Sequence, residues 1–427
     1  MRCHHLVCVC FFVVTAGVGS GNADEAQQRQ EVYRNLENFA NVLMLLQEHY
    51  VDEVDPENAI QGAINGMLMS LDPHSSYLSP EDFQELQEEA TGSFTGIGIE
   101  ITIRDGLLTA VSPIEGTPAD RQGIQAGDQI VRINGESTKS MSLMDAVKRL
   151  KGKKGTSVTI TIQRKGLAEL KDFTLVRDVI PLRSVWTREI ESGLIYARIS
   201  SFQGSTSHDF LKEIKELRKA GPINGMILDL RNNPGGLLDQ AVRVADIFLD
   251  EGVIVSTRGR DKDRDMTFQA GPGPESFDFP VVLMVNSGSA SAAEIVAGAL
   301  QDHKRAIVLG TESFGKGSVQ TILPMPGGSG IRLTTARYYT PSGDSIQAKG
   351  IQPDMVVPLQ PYVEDEHQDT RGLREQDLPG HFVNEDADKH EEEKPAIQED
   401  MARRLERDNQ LSTALIILKS LNIAAHN

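Results

Sequence analysis

The spacing of apolar residues changes several times along this chain, and each change marks an element. Val281 to Val285 is an unbroken, β-branched apolar run, too short for a helix, and reads as a buried strand. Asn286-Ser287-Gly288-Ser289 is turn chemistry. From Ala290 to Leu300 the spacing becomes helical, then Ala306 to Leu309 gives a second buried strand before a glycine-rich turn holding Lys316. Upstream, Gly193–Ile199 and Met226–Leu230 read as strands, while Ser207–Lys219 and Leu237–Phe248 read as helices. Strands alternating with helices predict an α/β sheet, in which reactive groups gather at strand ends. Thr321 to Ile351 reads as short strands and turns flanking a cleft.

Other stretches carry different periods. Residues 25–50 have a helical apolar stripe (Val32, Leu36, Phe39, Val42, Leu43, Leu46, Tyr50), and Asp55-Pro56-Glu57 opens a shorter helix to about Leu71. This pair serves either as an oligomer contact or as packing for the next domain. In residues 92–178, a glycine-lined turn at Gly96-Ile97-Gly98 runs into an alternating strand, with a helix at Met144–Leu150 and a strand at Val158–Gln163. Residues 362–400 are acid-rich and aperiodic, a flexible linker by composition. A final helix, Ile397 to Leu421, presents Met401, Leu405, Leu411, Leu415, Leu418 and Leu421. It needs a partner, its own core or another subunit, and subunit contact is the expectation.

Charge and cysteines narrow the class. Length implies two or three domains. The net charge of −18 over 427 residues supplies no basic footprint for nucleic acid. Residues 1–23 have the form of a secretory signal: Arg2, an apolar core from Leu6 to Val18, and a small-residue exit at Gly21-Asn22-Ala23. That core is too short for a stable membrane anchor, although an uncleaved anchor is the alternative. Cys3, Cys8 and Cys10 all lie inside it, so the mature chain has no thiol nucleophile and no disulfide. Export of an acidic chain points to a bacterial periplasm, with any membrane association through a partner.

Three serines, Ser287, Ser289 and Ser291, compete at the turn after the strand, and Ser291 lies deepest, at the helix start. Backbone N–H groups at a helix N-terminus can stabilise an oxyanion, but a serine hydroxyl needs a base. His303 follows the helix and belongs at its far end. Lys316, between Gly315 and Gly317, becomes a base only as the neutral amine, so its pKa must fall from about 10.4 toward neutrality. Phe314 and Val319 are the expected apolar wall, and Gln320 the residue that orients the amine. The same letters have plainer readings. Ser291-Ala-Ala-Glu294 spells a capping box, and a lone turn lysine is more often solvated. Gly310 to Lys316 nearly spells a phosphate loop, but Gly317 stands where the magnesium-binding hydroxyl belongs.

Two segments, N-x-G-S-A-S-A-x-E-I at Asn286–Ile295 and F-G-K-G-x-V-Q at Phe314–Gln320, resemble the carboxyl-terminal processing peptidases, or tail-specific proteases. The resemblance runs from about Asn35 to Leu359 and includes Leu71–Leu78 ahead of the peptide-binding domain, where His74 is expected to be structural. It implies Ser291 as nucleophile, Lys316 as general base and Gln320 as the residue positioning it. In the D-x-R-x-N-x-G-G stretch from Asp229 to Gly236 it implies Gly235 as one oxyanion N–H, with Ala292 as the second. Residues 92–178 resemble a PDZ domain, whose loop Phe94, Gly96, Ile97 and Gly98 would hold a terminal carboxylate. That domain either recruits substrate, gates the site, or is a spacer.

The implied fold is multidomain, α/β plus β. It comprises a signal (1–23), an N-terminal helical region (24–91), a PDZ domain (92–178) before or within an α/β serine protease core (179–361), and an acidic linker with a C-terminal helix (362–427). No metal or organic cofactor is expected. Expected partners are protein substrates held by their C-terminal tails, further copies of the chain through the N- and C-terminal helices, and a regulatory adaptor. The rival class is an inert PDZ scaffold.

Overall fold

The computed structural model describes residues 20–104, 106–139, 141–166, 169–273, 277–360 and 396–425. Most of the secretory signal with its three cysteines, and nearly all of the acidic linker, lie outside the described residues. The chain divides into two compact units, 1–77 and 78–427. In the first, helices Ser20–His49 and Pro56–Met69 form as the periodicity predicts. Asp55 caps the second by accepting the Glu57 N–H at 3.0 Å. The Asp72 carboxylate accepts the N–H groups of His74 and Ser75 at 2.8 Å each, a local turn that fits a structural part for this segment. Val32, Tyr33, Leu36 and Phe39 all stay exposed on the long helix.

The second unit begins with the helix Pro80–Thr91 and then holds a five-strand antiparallel path in the order Ile99–Arg104, Leu107–Pro113, Gln129–Ile133, Ser157–Gln163, Lys171–Val176. Inward alternation buries Ile160, Ile162, Phe173 and Leu175 in its own core, and an irregularity between Ile130 and Arg132 lets Ile130 and Ile133 join them. Ile99–Arg104 is the outer strand of that path, with the helix Leu143–Leu150 beside it. The chain leaves this domain where it entered: Asp178–Pro181 pairs antiparallel with Ser93–Gly96.

The larger sheet is ordered Val185–Glu191, Leu194–Ile199, Gly225–Asp229, Val281–Val285, Ile307–Gly310, Met355–Val356. Its first pair is antiparallel and the rest parallel. Alternate residues face opposite ways. Ile195, Met226, Leu228, Val281 and Leu283 join helices Thr206–Ala220, Leu238–Asp246 and Ala292–Asp302 on one side. Leu194, Tyr196, Ile227, Val282 and Met284 face the other side and are covered by the C-terminal segment. A parallel sheet needs both faces covered, which explains why Val281–Val285 is apolar at every position.

That second cover corrects the expectation for the C-terminus. The segment forms two helices, Ala396–Arg407 and Asn409–Ala425, not one. They break at Asp408, whose carboxylate accepts the Leu411 N–H at 3.0 Å as a helix cap. Met401, Leu411, Ala414, Leu415 and Leu418 pack on the chain's own sheet. Fully burying a leucine or methionine side chain contributes roughly 1.5–3 kcal/mol, so several together hold the pair firmly. No helix among the described residues is long and apolar enough to cross a membrane.

Candidate active site

The turns after Gly225–Asp229, Val281–Val285 and Ile307–Gly310 meet at one end of the sheet. Ser289 Oγ donates to Leu230 O at 2.8 Å. Asn232 N–H donates to Asn286 Oδ1 at 2.8 Å, and Asn286 Nδ2 returns a bond to Asn232 Oδ1 at 2.9 Å. Ala290 N–H donates to Asn233 O at 2.9 Å. These bonds decide among the serines. Ser289 is fully buried and committed to the turn, Ser287 is exposed, and Ser291 is half-buried at the mouth of the helix Ala292–Asp302. Ser291 also has φ 53° and ψ −112°, a sparsely populated conformation for a residue with a side chain. Such strain persists only where neighbours over-determine it, and it concentrates at functional sites.

The neighbour that over-determines it is Glu294, which has no solvent exposure. One carboxylate oxygen accepts the N–H of Ser291 at 2.7 Å and the N–H of Lys316 at 2.9 Å. The other accepts Gly315 N–H at 2.7 Å and Ser313 Oγ at 2.6 Å. The S-x-x-E spacing offers Glu294 as a helix cap, one of two readings of these letters. Glu294 does receive the Ser291 N–H, but it also fastens the serine turn to the lysine turn. The same bonds remove the nucleotide reading, because the Gly315 and Lys316 N–H groups that a phosphate would need are bound to a carboxylate.

Lys316 is half-buried, and burial first, then the nearby Arg332 charge, lower its pKa below the ordinary lysine value. The expected apolar wall is half wrong: Val319 packs against the core, but Phe314 is 61% exposed. The lysine turn is closed instead by the 346–351 segment. Ala348 N–H donates to Gly315 O at 2.8 Å, and a Cβ on Gly317 would lie 2.3 Å from Gln347 N, so only glycine fits there. Gln320 lies on the strand Ser318–Pro324, half-buried, where the pairing with Gly330–Tyr339 shifts register between Val319 and Gln320. His303 caps the far end of the serine helix, its Nε2 2.8 Å from Val253 O, and takes no part in the site.

Gly235 is placed against the nucleophile candidate. A Cβ built there would lie 2.9 Å from Ser291 Cβ and 3.0 Å from Ala292 N, at φ +103°. Its own N–H, however, donates to Asn233 Oδ1 at 2.8 Å. Ala292 opens its helix, where no preceding turn supplies an acceptor for its N–H.

In the antiparallel domain, Ile97 is buried, Gly98 has φ +74°, and Gly98 O accepts Thr117 Oγ1 at 3.0 Å. Phe94 and Gly96 differ from the expected loop, because both belong to the short strand Ser93–Gly96. Lys151 Nζ stands 5.5 Å from the centre of the Phe94 ring.

The sequence reading also missed a buried charge cluster under the Asp229 turn. Asp229 is fully buried and chelates Arg231, with Oδ1 to Nε at 3.0 Å and Oδ2 to Nη2 at 2.8 Å. Burial alone would raise the Asp229 pKa, but the Arg231 hydrogen bonds and charge outweigh it and hold it below the usual carboxylate value. Its signal was present, since a D-x-R pair ending an all-apolar strand puts charges where only mutual pairing makes them tolerable. Among the described residues, no cluster of histidine, cysteine, aspartate or glutamate could hold a metal ion.

Comparison with known proteins places the chain in a family. Residues 193–357 match Peptidase family S41, residues 86–163 match the PDZ domain, and residues 15–82 match the N-terminal domain of the activating protease CtpB. The chain is 46% identical over 356 residues to a carboxy-terminal-processing protease of Bartonella bacilliformis, covering 83% of this chain and 82% of that one. It is 36% identical over 319 residues to the carboxy-terminal processing protease CtpA of Bacillus subtilis, covering 74% and 68%. A solved photosystem II D1 C-terminal processing protease aligns at 30% identity and TM-score 0.44, covering 75% of this chain and 92% of that chain. The chain therefore belongs to the carboxy-terminal processing proteases, serine-type peptidases of family S41 that carry a PDZ domain.

Proposed function

We propose that this protein is an exported serine endopeptidase that cuts with a Ser291–Lys316 dyad and takes its substrates by their C-terminal tails. The observation that carries the reading is the convergence of the Ser291 and Lys316 N–H groups on one oxygen of Glu294. That bond pair brings the two turns together, and burial lowers the lysine pKa from its ordinary value, the direction a lysine base needs. Neutral Lys316 takes the Ser291 hydroxyl proton as Oγ bonds to the peptide carbonyl carbon. The oxyanion is held by the N–H groups of Ala292 and Gly235, the latter after release from Asn233. Lys316 returns the proton to the leaving amine as the C–N bond breaks. Water, deprotonated by the same amine, then hydrolyses the ester. Gln320 orients the amine.

A substrate tail adds to the Ile99–Arg104 edge beside the helix Leu143–Leu150, with its carboxylate at the Ile97–Gly98 turn. Residues 1–23 direct export to a periplasm, any membrane association being through a partner. The exposed stripe Val32, Tyr33, Leu36, Phe39 on the first helix supports pairing with a second copy. The C-terminal pair has its apolar face on its own sheet and is no longer assigned to that contact. An adaptor would act on the PDZ domain.

The test is cleavage of a tailed protein substrate by Ser291→Ala and Lys316→Ala variants. Both are expected to lose at least about 10³-fold in kcat, the scale of removing an activated nucleophile or its base. Full activity in either ends the dyad. A serine-directed fluorophosphonate separates this reading from an inert PDZ scaffold, which would not be labelled.

A further inference from the structure

The turn that carries Gly235 is held from a place 177 residues further along the chain. Arg231 Nη1 and Nη2 donate to the two oxygens of Asp408 at 3.0 and 2.7 Å, and Nη1 also donates to Gln410 Oε1 at 2.8 Å. Gln410 is itself buried and fixed by its Nε2 donating to Val357 O at 2.7 Å. A further link comes from the first terminal helix: Arg404 Nη2 donates to the Tyr196 hydroxyl at 2.6 Å, and that hydroxyl donates to Asp229 Oδ2 at 2.8 Å. Both terminal helices therefore end on the same aspartate–arginine pair.

Consequences run from that pair into the backbone. Asp229 Oδ1 also accepts the main-chain N–H of Arg231 at 3.0 Å, so the carboxylate that binds the guanidinium also closes the turn. One residue later the Asn232–Asn286 exchange begins, and Asn233 O receives the N–H of Ala290, the residue before Ser291. A shift of the Arg231 side chain thus moves Asp229, the Arg231 backbone, and the 232–235 turn against the serine turn. Two bidentate carboxylates on one planar guanidinium leave little rotational freedom, which makes this a geometric restraint as well as an attraction.

We propose that the terminal helix pair holds the oxyanion turn in its working shape through the Asp408–Arg231 pair, making Asp408 a positioning residue for peptide cleavage. The role rests on the Ser291–Lys316 reading for the reaction it serves. The turn geometry itself can be measured without that reading. Asp408 does double duty, capping the second helix and gripping Arg231, so the seat of the helices and the shape of the turn are coupled in one side chain.

The experiment uses the full chain with Asp408→Asn, which keeps the size and the helix-capping ability but removes the charge. Hydrogen exchange at Asn232–Gly236 is expected to speed up at least tenfold, and kcat to fall at least tenfold with KM within twofold of wild type. Affinity for a peptide aldehyde, which uses the oxyanion N–H groups, should fall by the same factor as kcat, while affinity for the same peptide ending in a carboxylate stays. A merely structural role would lower the melting temperature and move none of these ratios. Leu418→Ala loosens the seat from the apolar side, without touching Arg231. It should show smaller losses that track the exchange rate at the turn, and it covers the case in which Asp408→Asn does not fold. Unchanged kcat and aldehyde affinity in an Asp408→Asn protein whose 232–236 exchange has accelerated would overturn the proposal, as would unchanged exchange at the turn. An active Ser291→Ala protein would instead sink the dyad and leave the exchange result standing.

Discussion

Glu294 and Asp229 are both fully buried carboxylates beneath the turns of the active site, yet they are satisfied in opposite ways. Glu294 takes three backbone N–H groups and one hydroxyl, all neutral, from within the core domain. Asp229 takes a guanidinium, a tyrosine hydroxyl and one N–H, and its guanidinium is shared with the C-terminal helices. The contrast separates two ways of fixing an active site. Neutral donors aimed at one carboxylate lock local backbone geometry and add no counter-charge near the lysine. A chain of ion pairs ties local geometry to a remote segment. Had Glu294 been neutralised by a cation, that cation would have stood beside Lys316 and altered its charge.

The largest effect should come from removing the neutral clamp. Glu294→Ala leaves three N–H groups without their acceptor, that of Gly315 buried and those of Ser291 and Lys316 part-buried, and a fully buried orphan costs about 1–3 kcal/mol. It frees the serine and lysine turns to separate, and a misplacement near 1 Å costs roughly 10²-fold in rate. The expected result is a kcat drop of at least about 10² with a clear loss of thermal stability. Glu294→Gln refines the test. Its NH₂ group can face Ser313 Oγ, which can turn to accept, so about one N–H is orphaned and the kcat loss should be nearer tenfold. Equal kcat in wild type and Glu294→Ala, measured on the same tailed substrate, would show that the two turns hold together without the clamp.

The second test breaks the ionic side. Asp229→Asn removes the charge from one member of a buried pair, for which losses of about 3–5 kcal/mol are usual when a partner is lost. Arg231 retains Asp408 and Gln410, so the lower end, about 3 kcal/mol, is expected from denaturant unfolding. The pH dependence gives a signature. The folded-state pKa of Asp229 is lowered, so its contribution is present above the ordinary carboxylate range and is lost as pH falls through the depressed value. The gap between wild type and Asp229→Asn should therefore shrink on acidification. A gap that widens would mean that the carboxylate is not stabilised by Arg231.

These two clusters also measure how far the sequence could be read. Strands, helices and the reactive turn followed from apolar spacing and glycine placement, and Ser291 and Lys316 stand at the turns where that spacing put them. Glu294 was visible only as a cap, because spacing on a helix does not reveal a second segment folding back onto the same carboxylate. The second cover of the sheet was legible in principle. Val281–Val285 has no polar position, so something had to shield both faces, and the C-terminal helix, with its apolar stripe, was one of the segments able to do so. The Asp408–Arg231 pairing was not legible, since no local pattern relates residues 177 apart. The break between the terminal helices was also missed, although an aspartate three residues before a leucine-rich run is a common cap.

The smallest effect concerns charge alone and leaves both carboxylates in place. Lys316 is lowered first by burial and second by Arg332, which sits on the strand Gly330–Tyr339 opposite Ile322. With Lys316 as the proposed base, activity requires the neutral amine, and the acidic limb of kcat/KM is expected to report the Lys316 pKa in the free enzyme. Arg332→Met removes the lesser cause, so the pKa rises and the limb moves to higher pH, while the high-pH plateau is unchanged. Arg332→Lys keeps the charge and should leave the limb near its original place. Salt distinguishes electrostatics from packing, because raising ionic strength screens Arg332 in the wild type and should move its limb toward that of Arg332→Met. Stability must shift with the matching sign. A lysine with a lowered folded-state pKa binds fewer protons folded than unfolded, so native stability rises with pH through that range. Arg332→Met lessens the penalty for protonating Lys316 and should gain stability over wild type on the acid side. A limb that stays fixed at low salt would mean that burial alone sets the amine, and one that moves down would mean that Arg332 does not lower the Lys316 pKa.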